Sequence, residues 1–223
     1  MFIKFKTASK ITLLFFLIFA AAAYPQQGKS AKTIKVACIG NSITFGSGIE
    51  NKERDSYPAV LGRLLGDGYE VKNFGVSGRT LLKHGDFPYW KENAFLDALT
   101  FNPDIMIIML GTNDSKPQNW KYKDEYEKDY CQLIDIFRNL SSNPKIYLCR
   151  LVPAFKINWG INDSVIVNDI IPLIEKIGKE ENVDIIDLYT PFKNEGRVFP
   201  DGIHPNAEGA AMMAKEIYKA ILK

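Results

Sequence analysis

Ser42, Gly78, Asn113 and the pair Asp201 and His204 stand just past four apolar or strand-like segments of a 223-residue chain. Together they offer a hydroxyl, an imidazole, a carboxylate and amide donors. Acyl transfer uses these groups as nucleophile, base, orienter of the base and oxyanion stabilisers. The chain has only 2 histidines, His84 and His204, so the choice of base is narrow. His204 lies in the loop segment DGIHP, 3 residues after Asp201. At that spacing both side chains can face one pocket, with Asp201 on the Nδ1–H and Nε2 left for Ser42. Taken singly, each residue has a plainer reading. Ser42 could cap a helix, Asp201 could form a turn before Gly202, and His204 could be a surface histidine before a proline. Asn113 and Gly78 could each close a turn. All of them together, at strand ends on one sheet edge, favour the chemical reading.

The elements that must position these residues follow from periodicity. The apolar run Val36–Ile39 stops at Gly40 and predicts a first strand over Ile34–Ile39. Tyr69–Phe74 alternates and predicts a second, ahead of the Ser77-Gly78 loop. Ile105–Leu110 is continuously apolar, the mark of a strand covered on both faces. Ile146–Val152 and Val183–Leu188 predict the fourth and fifth. Helices are expected from Ser56-Tyr57-Pro58 to Leu65, over Trp90–Phe101 and over about Asp124–Leu140. A further helix from Asn162 is expected to kink at Pro172, and the last runs from Ala207 to Leu222 behind an Asn206 cap. Strands alternating with helices predict an α/β fold. It is a three-layer α/β/α sandwich with a five-stranded parallel sheet in the flavodoxin-like order 2-1-3-4-5. Strands one and three flank the switch point of that order, and they end at Ser42 and Asn113.

Residues 1–23 read as a signal peptide: Lys4, Lys6 and Lys10, then the apolar run Ile11–Ala23 closing on Ala21-Ala22-Ala23. That run is shorter than the about 20 residues of a membrane span, so no stable membrane anchor is expected after cleavage. Residues 24–33 form a short polar leader, and 34–223 a single domain. The signal carries 3 of the 28 basic residues and none of the 26 acidic ones, which leaves the mature chain at a net charge of −1. That balance gives no electrostatic case for a nucleic-acid partner. The placement implied is exported, periplasmic or secreted. Cys38, Cys131 and Cys149 do not form a disulfide framework and are expected as free thiols. No metal site and no cofactor motif is found. The serine elbow of the α/β-hydrolases would need glycine where Thr44 stands. A phosphate loop counted from Gly40 would need glycine and lysine where Phe45 and Gly46 stand.

The blocks GNSITFG, NFGVSGRT, GTND and DGIHPN resemble, in order, the four blocks of the SGNH (GDSL-type) hydrolases. The likeness spans Ile34 to the C-terminus. It implies Ser42 as nucleophile, His204 as general base and then acid, and Asp201 as its orienter. It also implies an oxyanion hole made of the Ser42 and Gly78 N–H groups and the Asn113 side-chain amide. One departure is Asn41, where the family has aspartate. The block GTNDSKPQNW looks most like the exported carbohydrate O-acetylesterases of the family, including sialate O-acetylesterase-like domains. The function so implied is a metal-free serine esterase that removes acetyl groups from a small-molecule or glycan ester. The alternatives are a lysophospholipase or thioesterase acting on longer acyl chains, and an inactive glycan-binding module. Arg79, Trp90 and Trp120, with Trp159 and Tyr122, fall on or near loops after strand ends and are candidates for substrate binding. Packing is the competing reading for each aromatic.

Overall fold

The apolar runs become five strands: β1 (Ile34–Gly40), β2 (Tyr69–Gly75), β3 (Ile105–Met109), β4 (Lys145–Arg150) and β5 (Asp184–Asp187). All pair in parallel, in the order β2-β1-β3-β4-β5. The structure is a computed structural model and describes residues 1–2 and 32–222. The expected signal peptide and leader therefore lie outside the described residues, save Met1, Phe2, Lys32 and Thr33. Central β3 is buried from Met106 to Met109, as its unbroken apolar run requires. Edge strand β2 is more open, with Lys72 and Asn73 exposed and Phe74 its one buried residue.

Helices cover both faces, as right-handed crossovers between parallel strands demand. Tyr57–Leu65 packs on Ala207–Ile221 in one layer. In the other, Asn93–Phe101 meets Tyr126–Arg138 through the Phe95 and Phe137 rings, 5.7 Å apart, and Tyr126–Arg138 packs on Ile171–Glu180. Asn206 caps the last helix by accepting from the Gly209 N–H at 3.0 Å. Cys38, Cys131 and Cys149 are unpaired. Burial pushes the Cys38 thiol up to about 12, so it behaves as a small apolar side chain. No helix among the described residues is long and apolar enough to cross a membrane.

Three helices differ from expectation. Trp90–Phe101 is divided, because Glu92 is extended (ψ 145°) between a short turn at Tyr89–Lys91 and the helix proper. The helix expected from Asp124 starts at Tyr126, behind a separate turn at Lys123–Glu125. The helix from Asn162 runs in unbroken right-handed helical backbone from Asp163 to Glu180, and it is π-helical over Ile166–Ile170, just before the interior Pro172 that can donate no backbone hydrogen bond.

Register is what positions the functional loops. Gly40 of β1 pairs with Gly75 of β2 on one side and Met109 of β3 on the other. Three adjacent strands thus end in one row, and Ser42, Gly78 and Asn113 each follow that row within a few residues. The helical turn Ser42–Phe45 sits directly on this row. A Cβ at Gly75 would lie 2.3 Å from the Phe45 backbone N, and one at Gly40 would lie 2.0 Å from Thr44 Oγ1. The glycines are there because the turn leaves no room. Gly75→Ala should therefore destabilise the fold by about 1–3 kcal/mol, the usual cost of overpacking. Gly68→Ala, where nothing lies within 4 Å, should leave the thermal midpoint near wild type. Equal melting of the two variants would contradict this account.

Candidate active site

Ser42 opens its short helix behind Asn41, whose Oδ1 accepts from the Ile43 N–H at 3.0 Å. The turn closes at Gly46 in the left-handed region (φ 90°). Asn41, the departure from the family block, thus serves as an N-cap, although its own Nδ2 has no partner among the described residues. His204 comes from the far end of the chain, and its Nε2 lies 2.8 Å from Ser42 Oγ. Its Nδ1 lies 2.7 Å from Asp201 Oδ2. The other carboxylate oxygen, Oδ1, accepts from the backbone N–H of Ile203 at 2.8 Å and of His204 at 2.7 Å.

These contacts set the charge on Asp201. Partial burial alone would raise its carboxyl. Donors from the His204 backbone and ring and from the Ile203 backbone outweigh that, and hold it below the ordinary carboxylate range. Asp201 therefore stays ionised into acidic pH and fixes the ring, with Nδ1–H toward the carboxylate and Nε2 toward the hydroxyl.

Ser42, Gly78, Asn113 and His204 share one cavity of about 260 Å³, with Ser47, Ser77, Lys116, Trp159 and Ile161 completing its walls. Ser47 and Ser77 link two of its loops through a 2.8 Å hydroxyl contact. The backbone N–H groups of Ser42 and Gly78 donate to no other described residue. Asn113 Nδ2 donates to the Arg79 carbonyl at 3.0 Å, which orients the amide and leaves its second hydrogen uncommitted. Three N–H donors are thus available beside the Ser42 hydroxyl.

The other candidates lie elsewhere. The Arg79 side chain pairs with Glu92 at 2.8 Å and donates to the Ser77 carbonyl at 2.7 Å, bracing the Gly78 loop from behind. Trp90 gives its indole N–H to the Leu81 carbonyl at 2.6 Å. Trp120, only 9% exposed, donates to Asp169 at 2.8 Å. None of the three lines the cavity that holds Ser42. His84, with a side chain 67% exposed, faces Glu125 instead. Among the described residues, no group of three or more His, Cys, Asp or Glu could hold a metal ion.

One residue gained a role that the sequence reading had not assigned. Asp114, fully buried, accepts from the Leu81 N–H at 3.0 Å and the Leu82 N–H at 2.8 Å, tying the segment after Gly78 to the loop that carries Asn113. Its place in the block GTND was the available signal.

With fold and geometry in view, the chain matches the model of the GDSL-like lipase/acylhydrolase family over residues 38–212, and it belongs to that family. It is 50% identical over 206 residues to an acetylxylan esterase of Xylanibacter ruminicola, a match covering 84% of this chain and 43% of that one. The chain thus spans less than half the length of that relative. Among solved structures, an acetyl xylan esterase superposes with a TM-score of 0.63 at 24% identity, covering 84% of this chain and 100% of that one. A carbohydrate acetylesterase from Sinorhizobium meliloti does so with a TM-score of 0.65 at 21% identity, covering 85% and 99%. These two likenesses are of fold.

The Asp114 tie has a measurable signature. Burial pushes its carboxyl up to about 7, although the Leu82 and Leu81 amides favour the ionised form. The folded chain therefore holds a proton there that the unfolded chain, titrating near 3.8, does not. Stability from the protonated form is full below the unfolded value and is lost as pH rises through about 7. The melting advantage of wild type over Asp114→Asn should accordingly shrink between pH 5 and pH 8. An advantage that stays constant or grows would show that Asp114 does not titrate in this way.

Proposed function

We propose that this chain is a metal-free serine esterase that removes O-acetyl groups from carbohydrate, with acetylated xylan as its substrate class. The observation that carries the reading is the continuous contact from Asp201 through His204 to Ser42, facing three uncommitted N–H donors. The 50% identity to an acetylxylan esterase supports the choice of substrate.

In this reading Ser42 Oγ attacks the acetyl carbonyl and its proton passes to His204 Nε2. The oxyanion of the tetrahedral intermediate accepts from the Ser42 and Gly78 N–H groups and from Asn113 Nδ2. The carbon–oxygen bond to the sugar breaks as Nε2 returns the proton to the departing hydroxyl. Water, deprotonated by the same nitrogen, then releases acetate from Ser42. Imidazole generates the nucleophile and fixed donors take the negative charge, so the sequence of steps calls for neither metal nor cofactor. The cavity of about 260 Å³ suits a short acyl group. It falls below the about 300–1,000 Å³ of pockets that enclose larger ligands. The basic, then apolar, then small-residue pattern of residues 1–23 supports work outside the cytoplasm without a membrane anchor, and the net charge of −1 left after its removal supports no nucleic-acid partner.

Turnover should fall steeply from p-nitrophenyl acetate to the octanoate and palmitate esters, and the protein should release acetate from acetylated xylan. A rate that rises with chain length would favour a lipase or thioesterase. Absence of both hydrolysis and fluorophosphonate labelling at Ser42 would favour a glycan-binding module. Ser42→Ala or His204→Ala should each cost on the order of 10⁶-fold in kcat, by analogy with serine protease triads.

Asn113→Ala should lower kcat by about 10²–10³-fold with little change in KM, as expected for a donor used mainly in the transition state. A KM effect alone would remove Asn113 from the oxyanion hole.

A further inference from the structure

The three tryptophans divide sharply. Trp90 and Trp120 turn inward and spend their indole N–H groups on Leu81 and Asp169. Trp159 is 60% exposed, its indole N–H donates to no described residue, and its ring stands 5.4 Å from that of His204 at a tilt of 53°. It lines the same cavity as Ser42.

Its backbone is as unusual as its exposure. Among the described residues four non-glycine residues have positive φ: Asn102, Asn143, Asn182 and Trp159 at 52°. Asparagine tolerates the left-handed region; a bulky aromatic there is a strained conformation, which persists only where surrounding structure enforces it. The enforcement is visible on both sides. Asn158 Nδ2 donates to the Asp201 carbonyl at 2.8 Å, and the Asn162 N–H donates to Ser115 Oγ at 3.0 Å. The loop bearing Trp159 is therefore clamped between the loop of the base and the loop of Asn113. Beside it Lys116, only 9% exposed, forms no ion pair among the described residues and contributes to the same cavity wall.

A largely exposed indole in a strained backbone recovers little burial energy and no side-chain hydrogen bond from folding. We propose that Trp159 is the sugar platform of the cleft: its open face receives the apolar C–H face of the pyranose whose acetyl group is presented to Ser42, and Lys116 donates to that sugar's oxygens. Pockets of this kind pair an apolar wall with a few placed polar groups. The ring–ring contact with His204 sets the distance from platform to base, so the platform selects a ring-bearing ester over a small aliphatic one. This inference rests on the acetylesterase reading above and adds to it the residue that selects the substrate.

The test uses acetylated xylo-oligosaccharide and ethyl acetate, which carries no ring to stack. Trp159→Asn removes the indole while keeping a residue suited to positive φ, and Trp159→Phe restores an aromatic face. Trp159→Asn should raise KM for the oligosaccharide about tenfold or more, the scale of one aromatic contact. The loss in kcat/KM should be at least about tenfold larger on the oligosaccharide than on ethyl acetate, and Trp159→Phe should recover most of it. Calorimetry on Ser42→Ala should show oligosaccharide binding that the added Trp159→Asn change weakens by a similar factor. Equal losses on the two esters, or unchanged binding in the Ser42→Ala background, would overturn the platform and leave the esterase reading standing. Wild-type protein that hydrolyses ethyl acetate but neither binds nor deacetylates the oligosaccharide would overturn both.

Discussion

The whole arrangement depends on how closely a helical turn can approach the end of a parallel sheet. Ser42–Phe45 lies against the last residues of β1 and β2, with glycine at both points of contact. Because Gly40 is in register with Gly75 and Met109, the loops that follow three neighbouring strands start from a common level. A hydroxyl, a glycine N–H and a side-chain amide therefore reach one cavity without any loop being long. The row of strand ends does the aiming, and short local hydrogen bonds do the rest. This is the physical content of the rule that α/β sheets bind ligands beyond their carboxyl ends at the switch point.

Two aspartates illustrate how differently one side chain can be used within a small volume. Asp201 is partly exposed and surrounded by donors, so its charge is retained and holds a ring in place. Asp114 is sealed in the interior, where its oxygens act as a double hook for the Leu81 and Leu82 amides and its charge is disfavoured. The difference is one of solvation, not of residue type. It divides the labour between orienting a reactive group and fixing a scaffold.

Much of this was legible in the residues. Strand order and the convergence of Ser42, Gly78, Asn113 and His204 on one cavity, with Asp201 behind the imidazole, follow from apolar runs, from punctuating glycines and from a scarcity of histidine. What stayed hidden was everything decided by burial. Trp90, Trp120 and Trp159 all look alike as aromatics near loops, and only the folded chain reveals which indole N–H meets an internal acceptor. Asp114 was visible inside its motif, yet its hold on Leu81 and Leu82 is a contact across 33 and 32 residues that no local pattern encodes. Pro172 marks an irregular helix in the sequence, but that the irregularity takes the form of a π-helical stretch at Ile166–Ile170 is decided by backbone hydrogen bonding that spacing does not encode.

The span between hydroxyl and imidazole, 162 residues, bears on how the chain is made. Ribosomes build from the N-terminus, so the turn bearing the hydroxyl, with strands on both sides of it, emerges long before the DGIHP segment. A nascent chain short of residue 204 would hold the Ser42 hydroxyl without the imidazole that lies 2.8 Å from it in the folded chain. His204 is the last of the cavity's lining residues to be made, so the cavity is completed only when synthesis has passed it.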